Sequence, residues 1–171
     1  LILSRIADKI IAVDINENAV KSTQENISKN KIKNIEVRKS NLFENVPETF
    51  DLIVFNPPFM SLKPSSGIET ALTDYHHKTL KKFFSEVKKH LNMGGKIILD
   101  FSNMGDEKLL EKLILKNKMN KKILHSTKIK DFAGVDTKIY VLELSIRIGV
   151  ITYRLKIILF LNINASHLIL G

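Results

Sequence analysis

The chain has 171 residues, which is enough for one folded domain, and its net charge at pH 7 is +9. Its hydrophobic fraction of 44% and charged fraction of 26% are ordinary for a globular protein. The sequence contains no cysteine, which excludes disulfides, thiolate metal sites and cysteine nucleophiles and is consistent with a reducing, cytoplasmic location. The positive charge fits a nucleic-acid partner. However, the lysines are scattered, and a codon bias towards Lys, Asn and Ile explains the charge equally well.

Strands and helices alternate along most of the chain. Residues 1–9 resemble the last turns of an amphipathic helix. Short apolar runs predict strands at residues 10–14, 35–37, 50–55 and 96–101. Apolar residues at helical spacing, or sequence between two strands, predict helices at residues 17–29, 70–91 and 106–116. The Gly94-Gly95 pair is expected to form the turn before the strand at 96–101.

Two further strands, at residues 122–128 and 138–145, are joined by a loop without a helix, which predicts an antiparallel hairpin. The whole order predicts an α/β fold of three layers, with a mostly parallel sheet closed by this C-terminal hairpin. Residues 146–171 form an apolar tail, in which the uncharged run 157–171 is too short to span a bilayer comfortably and contains Asn162, Asn164 and His167. This tail could form an extra strand, an interfacial helix or an unrelated extension.

Two residues at predicted strand ends are candidates for binding a nucleoside, because ligands of open α/β sheets sit beyond the carboxyl ends of the strands. Asp14 can accept hydrogen bonds from both ribose hydroxyls; the alternative is a helix N-cap. Asn41 can accept from an adenine amino group while Leu42 covers the ring. The alternative for Asn41 is a turn residue with a local side-chain bond.

The most informative motif is Asn56-Pro57-Pro58-Phe59, which ends the strand at 50–55. A planar nitrogen is a poor nucleophile because its lone pair is delocalised, and acceptors for its N–H groups localise that pair. The Asn56 side-chain oxygen and the Pro57 carbonyl are two such acceptors, and the prolines hold the carbonyl rigidly. Phe59 offers a face on which a flat substrate can stack. The alternative is a simple strand-ending turn.

This motif and the segment before it resemble a known family. The sequence contains Ser40-Asn41-Leu42-Phe43-Glu44-Asn45-Val46, then Phe50-Asp51-Leu52-Ile53-Val54-Phe55, then Asn56-Pro57-Pro58-Phe59. This order resembles the small-domain class I S-adenosylmethionine-dependent methyltransferases, among them ribosomal RNA guanine and release-factor glutamine N-methyltransferases. The resemblance runs over residues 1–145 and implies a Rossmann-like methyltransferase sheet.

The resemblance implies roles for the candidate residues. Asp14 resembles the ribose-binding acid of S-adenosylmethionine, Asn41 and Leu42 resemble the adenine contacts, and residues 56–59 resemble the clamp on the target nitrogen. Family members usually have Asp where this chain has Asn41, so cofactor affinity is expected to be lower. The implied reaction is methyl transfer to a planar amino or amide nitrogen, without a metal. RNA, DNA and a protein glutamine are open as the substrate, and the basic charge favours an RNA base over a protein glutamine.

The start of the chain departs from the family pattern. The family's first strand and glycine-rich loop would precede Leu1, and that strand would lie centrally, between the strands ending at Asp14 and Asn56. The apolar segment 156–161 could fill the gap as a strand, but no glycine-rich turn follows it. We therefore expect residues 1–145 to form a methyltransferase domain lacking its first strand and loop. The alternative is a non-catalytic remnant of a methyltransferase gene that has no tight ligand.

Three other residues stand near these motifs without a clear role. His76 and His77 lie together on a predicted helix but have no third ligand at metal spacing, so an exposed helix face is expected there. Asp100, near the end of a predicted strand, is expected to contribute little to a site.

Overall fold

The computed structural model describes residues 2–58, 74–130, 134, 136–146 and 156–160. Within these residues the strands are β1 (Lys9–Asp14), β2 (Ile35–Lys39), β3 (Phe50–Phe55), β4 (Leu91–Ser102), β5 (Met119–Lys130), β6 (Asp136–Ile146) and β7 (Lys156–Phe160). The α-helices are α1 (Glu17–Lys29), α2 (Lys78–Glu86) and α3 (Glu107–Lys116). Short 3-10 turns cover Ile2–Arg5, Tyr75–His77 and Val87–His90.

All seven strands belong to one sheet, in the order β2-β1-β7-β3-β4-β6-β5. The five strands from β2 to β4 are parallel to one another. β6 runs antiparallel to both β4 and β5, and it forms a long hairpin with β5. This arrangement confirms the mostly parallel α/β sheet with a C-terminal antiparallel hairpin.

β7 lies in the centre of the sheet although it comes from the C-terminal tail. It pairs in parallel with β1 from Lys9↔Lys156 to Val13↔Phe160 and with β3 up to Phe55↔Phe160. The position that the family resemblance assigns to a first strand before Leu1 is therefore occupied by residues 156–160. Pairing on both sides satisfies the backbone N–H and C=O groups of the inner edges of β1 and β3.

The two faces of β7 enter two different apolar clusters. Ile158 and Phe160 join the main core, which packs between the sheet and α2 and α3. Ile157 joins a smaller cluster with Ala7 and Ile10 on the opposite face. This alternation is the period of two that an extended strand imposes on its side chains, and it makes β7 a fully integrated core strand.

Four aromatic rings pack around the end of β7 in the main core. The Phe160 ring lies 5.0 Å from Phe43 and 5.2 Å from Phe55, both edge to face. Phe55 in turn stacks on Phe83 of α2 at 4.3 Å. Such aromatic pairs each add about 0.5–1.5 kcal/mol beyond their buried area, so the aromatic cluster fixes α2 over the ends of β3 and β7.

The helix predicted at residues 70–91 is shorter in the structure. α2 begins at Lys78 because the buried carboxylate of Asp74 accepts hydrogen bonds from the N–H groups of Thr79 at 2.8 Å and Leu80 at 2.9 Å. The two residues just before α2, His76 and His77, take left-handed φ values of 59° and 53°. Residues 70–73 lie outside the described part of the chain.

The strand predicted at 96–101 extends back to Leu91, so Gly94 and Gly95 lie inside β4 rather than in a turn before it. Gly94 has a φ of 78°, and a Cβ on Gly95 would lie 2.9 Å from the carbonyl oxygen of Phe50. β3 and β4 shift register at this point, between Phe50 and Leu52. The two glycines therefore allow the irregular pairing that begins β4.

Truncating one side chain of β7 tests its place in the sheet. Ile158 is completely buried, so Ile158→Ala should lower the free energy of unfolding by about 2–5 kcal/mol, because it removes buried apolar surface and leaves a cavity. The matched control is Ile123→Ala, because Ile123 on β5 is 53% exposed. The control should cost less than about 1 kcal/mol. Urea unfolding of both variants measures the difference, and equal small losses would place residues 156–160 outside the core.

Candidate active site

The carboxyl ends of the parallel strands meet along one edge of the sheet. Val13 of β1 and Phe55 of β3 both pair with Phe160 of β7. The next residues along the chain, Asp14 and Asn56, therefore lie at the same level on either side of the end of β7. With neighbouring strands about 4.8 Å apart, their backbones are separated by about 10 Å, with the end of β7 between them.

The Asp14 carboxylate lies half-buried at this edge. Its Oδ1 atom accepts a hydrogen bond from the Asn16 N–H at 2.7 Å. Burial raises the pKa of Asp14, partly offset by hydrogen bonds from the backbone of Asn16 and Ile15. The N-cap of α1 is Asn16, whose side chain accepts from the Asn18 N–H at 2.9 Å. The helix-capping role that was the alternative for Asp14 therefore belongs to Asn16.

Asn41 is held beside Asp14 by the turn that follows β2. The Ser40 N–H donates to the Asp14 carbonyl at 2.8 Å, and the buried Ser40 hydroxyl donates to the Leu42 carbonyl at 2.7 Å while accepting from the Asn45 N–H. The amide nitrogen of Asn41 donates to Glu44 at 2.9 Å, which is the local bond expected of a turn residue. The Asn41 amide oxygen is the atom that an adenine amino group would need.

Leu42 faces the protein more than the edge of the sheet. Its side chain is 7% exposed and belongs to the main core cluster, and its backbone has a left-handed φ of 56°. Only a small part of this side chain is available to an adenine ring. The adenine contact assigned to Leu42 stays a prediction.

The Asn56-Pro57-Pro58 segment leaves the sheet directly after β3. Asn56 and Pro58 are half-buried and Pro57 is buried, so the segment packs against the domain rather than extending into solvent. The two prolines cannot continue the parallel ladder because they lack an N–H. Phe59, the fourth residue of the predicted clamp, lies outside the described residues.

Asp100 of β4 also lies at this edge of the sheet. Its neighbour Leu99 pairs with Phe55, so Asp100 is level with Asn56 on the adjacent strand. Its Oδ1 atom is buried and has no hydrogen-bond partner in the described structure. Burial raises the pKa of Asp100 to about 6. The sequence signal that could have singled it out is a carboxylate in the apolar strand 97–101.

These residues fit one half of S-adenosylmethionine better than the other. Asp14 and Asn41 supply acceptors for a ribose and an adenine at one edge of the sheet. Backbone N–H groups of a glycine-rich loop would hold the methionine half, but the sequence after β7 contains no glycine before Gly171. The described residues of this edge therefore offer candidate acceptors for the nucleoside half, and the sequence that follows β7 offers no glycine-rich loop for the methionine half.

The described ranges give no basis for a metal centre. They contain no group of three His, Asp or Glu side chains that could hold a metal ion.

No helix within the described residues is long and apolar enough to cross a membrane.

Comparison with known protein families adds a second line of evidence. The model of the methyltransferase small domain matches residues 2–124, which is well over half of the chain. This chain belongs to the methyltransferase small domain family. The recognition made from the strand at 50–55 and the motif at 56–59 is thereby confirmed.

Individual relatives differ in what their names say they methylate. A protein of Methanocaldococcus jannaschii named "Putative protein N5-glutamine methyltransferase" is 37% identical over 114 residues, covering 63% of this chain and 57% of that protein. Ribosomal RNA small subunit methyltransferase C of Haemophilus influenzae is 35% identical over 89 residues, covering 52% of this chain and 24% of that protein. The chain thus spans about half or less of these curated relatives.

The fold also matches solved structures of the same kind. A methyltransferase from Pyrococcus furiosus superposes with a TM-score of 0.55 at 26% identity, covering 82% of this chain and 64% of that protein. The methyltransferase sheet is therefore shown by family and by fold.

Titration of Asp100 should leave a signature in stability. Its folded pKa of about 6 lies above the ordinary value of 3.8, so between these values the folded protein holds a proton that the unfolded chain has lost. The stabilisation from this proton is present below about pH 4 and is lost as the pH rises through 6. The free energy of unfolding of the wild type, minus that of Asp100→Asn, should therefore decrease from pH 4 to pH 7. Urea unfolding of both proteins at each pH measures this difference. A difference independent of pH would mean that the carboxylate is solvated.

Proposed function

We propose that this chain carries the catalytic domain of an S-adenosylmethionine-dependent N-methyltransferase that acts on a planar amino or amide nitrogen. The observation that carries the proposal is the position of Asn56-Pro57 at the end of β3, on the same edge of the sheet as Asp14. A target-nitrogen clamp and a ribose acceptor on one edge form the minimum arrangement that this transfer needs. Family membership supports the reaction class.

The protein contributes alignment and hydrogen-bond acceptors to this reaction. Bound S-adenosylmethionine supplies a methyl group already activated on its sulfonium. The Asn56 side-chain oxygen and the Pro57 carbonyl accept hydrogen bonds from the N–H groups of the target, which localises the lone pair towards the methyl. The prolines hold the Pro57 carbonyl rigidly before the substrate arrives, and together with the Asn56 oxygen it stabilises the charge that develops on the nitrogen. Stacking of the target on Phe59 completes the proposed clamp.

Cofactor binding is assigned to Asp14, Asn41 and Leu42. Asp14 would accept from the ribose hydroxyls, and the Asn41 oxygen from the adenine amino group. Holding the cofactor and the target in one geometry converts an encounter of two molecules into a step within one complex, which is the main source of acceleration for a reaction with an activated donor.

We favour an RNA base over a protein glutamine as the substrate. The net charge of +9 suits a polyanionic partner, and one relative is a ribosomal RNA methyltransferase. Another relative carries a protein glutamine methyltransferase name, so the protein substrate is the comparison that an assay must include.

A non-catalytic remnant is the second candidate. The observation in its favour is that β7 fills the central strand position and that no glycine-rich loop follows it in the sequence. The nucleotide sequence upstream of Leu1 separates the two candidates. An open frame encoding an apolar strand and closely spaced glycines favours the enzyme, and a stop codon or frameshift there favours the remnant.

The cofactor affinity of the 171-residue chain should be very low. Without loop amides for the methionine half, calorimetry should detect little or no binding of S-adenosylmethionine. Adding an N-terminal segment with an apolar strand, a glycine-rich loop and the start of a helix should restore binding, with the added strand replacing β7. Micromolar binding by the chain without the addition would show that the pocket is built in another way.

The role of Asn56 is tested in that extended protein. Asn56→Ala removes an acceptor used in the transition state, so turnover should fall on the order of a hundredfold or more, while S-adenosylmethionine affinity hardly changes. The measurement is transfer of labelled methyl to RNA and, separately, to a glutamine-containing protein. The control is Asn26→Ala, because Asn26 lies exposed on α1, and it should leave turnover intact. Turnover of Asn56→Ala within a few-fold of wild type contradicts the assignment.

A further inference from the structure

The outer strand β5 carries an exposed concentration of positive charge. Every residue of β5 after Met119 is exposed, and the strand has no acidic residue. Its four lysines are Lys121, Lys122, Lys128 and Lys130. Positively charged, solvent-exposed strands attract polyanions.

Two lysines of the hairpin face each other without an acid between them. Lys128 of β5 lies directly opposite Lys138 of β6. Directly opposite residues of an antiparallel pair have Cβ atoms about 5 Å apart, and like charges at that position destabilise the sheet. Other lysines of this half of the sheet have acidic partners, such as Lys96 with Glu143 at 3.0 Å. The opposed pair is an arrangement that a bound anion would relieve.

The backbone around Lys138 is held firmly. Its N–H donates to the Asn103 side-chain oxygen at 2.8 Å, and its carbonyl accepts from the Asn103 N–H at 3.0 Å. Its Nζ atom lies 4.9 Å from the centre of the Tyr140 ring. A hydrogen bond with Glu107 raises the pKa of Tyr140. Lys138 is therefore fixed to the loop that follows β4.

This end of the hairpin projects past the edge that carries Asn56. Asp100, which is level with Asn56, pairs with Val141 of β6. Lys138 lies three residues further towards the hairpin tip, which is about 10 Å along the strand at 3.3 Å per residue. β6 is two strands away from β3, which adds about 10 Å across the sheet. A few nucleotides of a single strand can span this separation.

We propose that Lys128 and Lys138 together bind a backbone phosphate of an RNA strand whose target base enters the Asn56 edge. The proposal rests on the proposed function for the identity of that edge, and it adds the surface that holds the substrate. RNA fits because its phosphates recur along the strand, so one phosphate can reach the lysine pair while a base several nucleotides away reaches Asn56. The neighbouring Lys130 lies opposite Asp136 and Lys122 lies opposite Glu143, whereas Lys128 and Lys138 lie opposite each other.

The binding test uses a fluorescein-labelled oligouridylate and the 171-residue chain without cofactor. Wild-type affinity should fall steeply with salt, because lysines release counterions from phosphates. The double variant Lys128→Ala/Lys138→Ala should bind at least about tenfold more weakly. It should also lower the slope of log affinity against log salt by about 0.7, because the two lysines share one phosphate and each phosphate neutralised on a single strand contributes about 0.7 to that slope.

A matched double variant controls for total charge. Lys33→Ala/Lys116→Ala removes the same two charges away from the paired lysines. Lys33 precedes β2 at the other edge of the sheet, Lys116 ends α3 just before the start of β5, and both residues are exposed. This variant should keep most of the wild-type affinity and slope. An equal loss in both double variants would overturn the proposal, since binding would then depend on net charge alone. A flat salt dependence of wild type would also overturn it and favour a protein substrate.

A charge reversal separates binding from folding. Lys128→Glu should raise the midpoint of thermal unfolding, because it places a negative charge opposite Lys138, and it should weaken oligouridylate binding. Lys128→Arg should bind as wild type does. If Lys128→Glu lowers both the midpoint and the affinity, Lys128 is structural and the proposal fails.

The oligouridylate binding assay can be interpreted separately from the test of methyl transfer. The binding assay needs neither cofactor nor turnover, so its comparison of the two lysine double variants does not depend on the role of Asn56. Loss of hairpin-dependent binding with an intact effect of Asn56 on turnover overturns only the phosphate surface. Hairpin-dependent binding without methyl transfer in the extended protein overturns only the proposed function.

Discussion

The rest of the structure depends on the pairing of β7 with both β1 and β3. These two strands have no direct ladder with each other, and the five residues of β7 supply the hydrogen bonds between them. The same strand contributes to both apolar clusters, on opposite faces of the sheet. It also sets the common level at which Asp14 and Asn56 emerge, so the candidate site needs a strand in this central position, which β7 supplies here.

The candidate edge combines groups that are costly to bury with groups that accept hydrogen bonds. Asp14 and Asp100 both lose solvation there, and burial raises the pKa of each. Asn56 lies between them in strand order. Polar groups held in poor solvation are the usual basis of binding and catalysis, because they interact more strongly with a ligand than with water. The exposed lysines of the hairpin lie to one side, so a neutral reacting centre would be flanked by a cationic surface.

The sequence predicted those elements whose signals are local. The bounds of α1 and β3 agree with the expected residues, since Asn16 caps the helix and two prolines end the strand. The start of α2 could not be predicted, because it depends on Asp74 reaching residues five and six positions ahead. The sequence identifies the apolar segment 156–161 as a possible strand for the gap, and the structure places β7 there. Its sequence alone has no diagnostic period, because its position depends on strands about a hundred residues or more earlier.

The site could be predicted to a similar extent. Strand ends and proline chemistry identified Asp14 and Asn56 as neighbours at one edge, which the strand register supports. The alternative for Asn41 predicted a local side-chain bond, and the structure shows one to Glu44. The sequence did not reveal that Leu42 turns into the core, because this follows from the Ser40 turn. The burial of Asp100 could not be predicted from the sequence, because its neighbours in space decide how much solvent reaches the carboxylate.

The order of the strands along the chain also constrains synthesis on the ribosome. The Lys156 N–H donates to the Asp51 carboxylate at 2.8 Å, a contact between residues 105 positions apart. β1 and β3 leave the ribosome long before β7, and during that interval their facing edges are unpaired. Unpaired edges in nascent chains are prone to intermolecular association. The central pairing of the sheet therefore forms only after residue 156 has been synthesised, and a nascent chain arrested before that residue would expose the unpaired edges of β1 and β3 to chaperones.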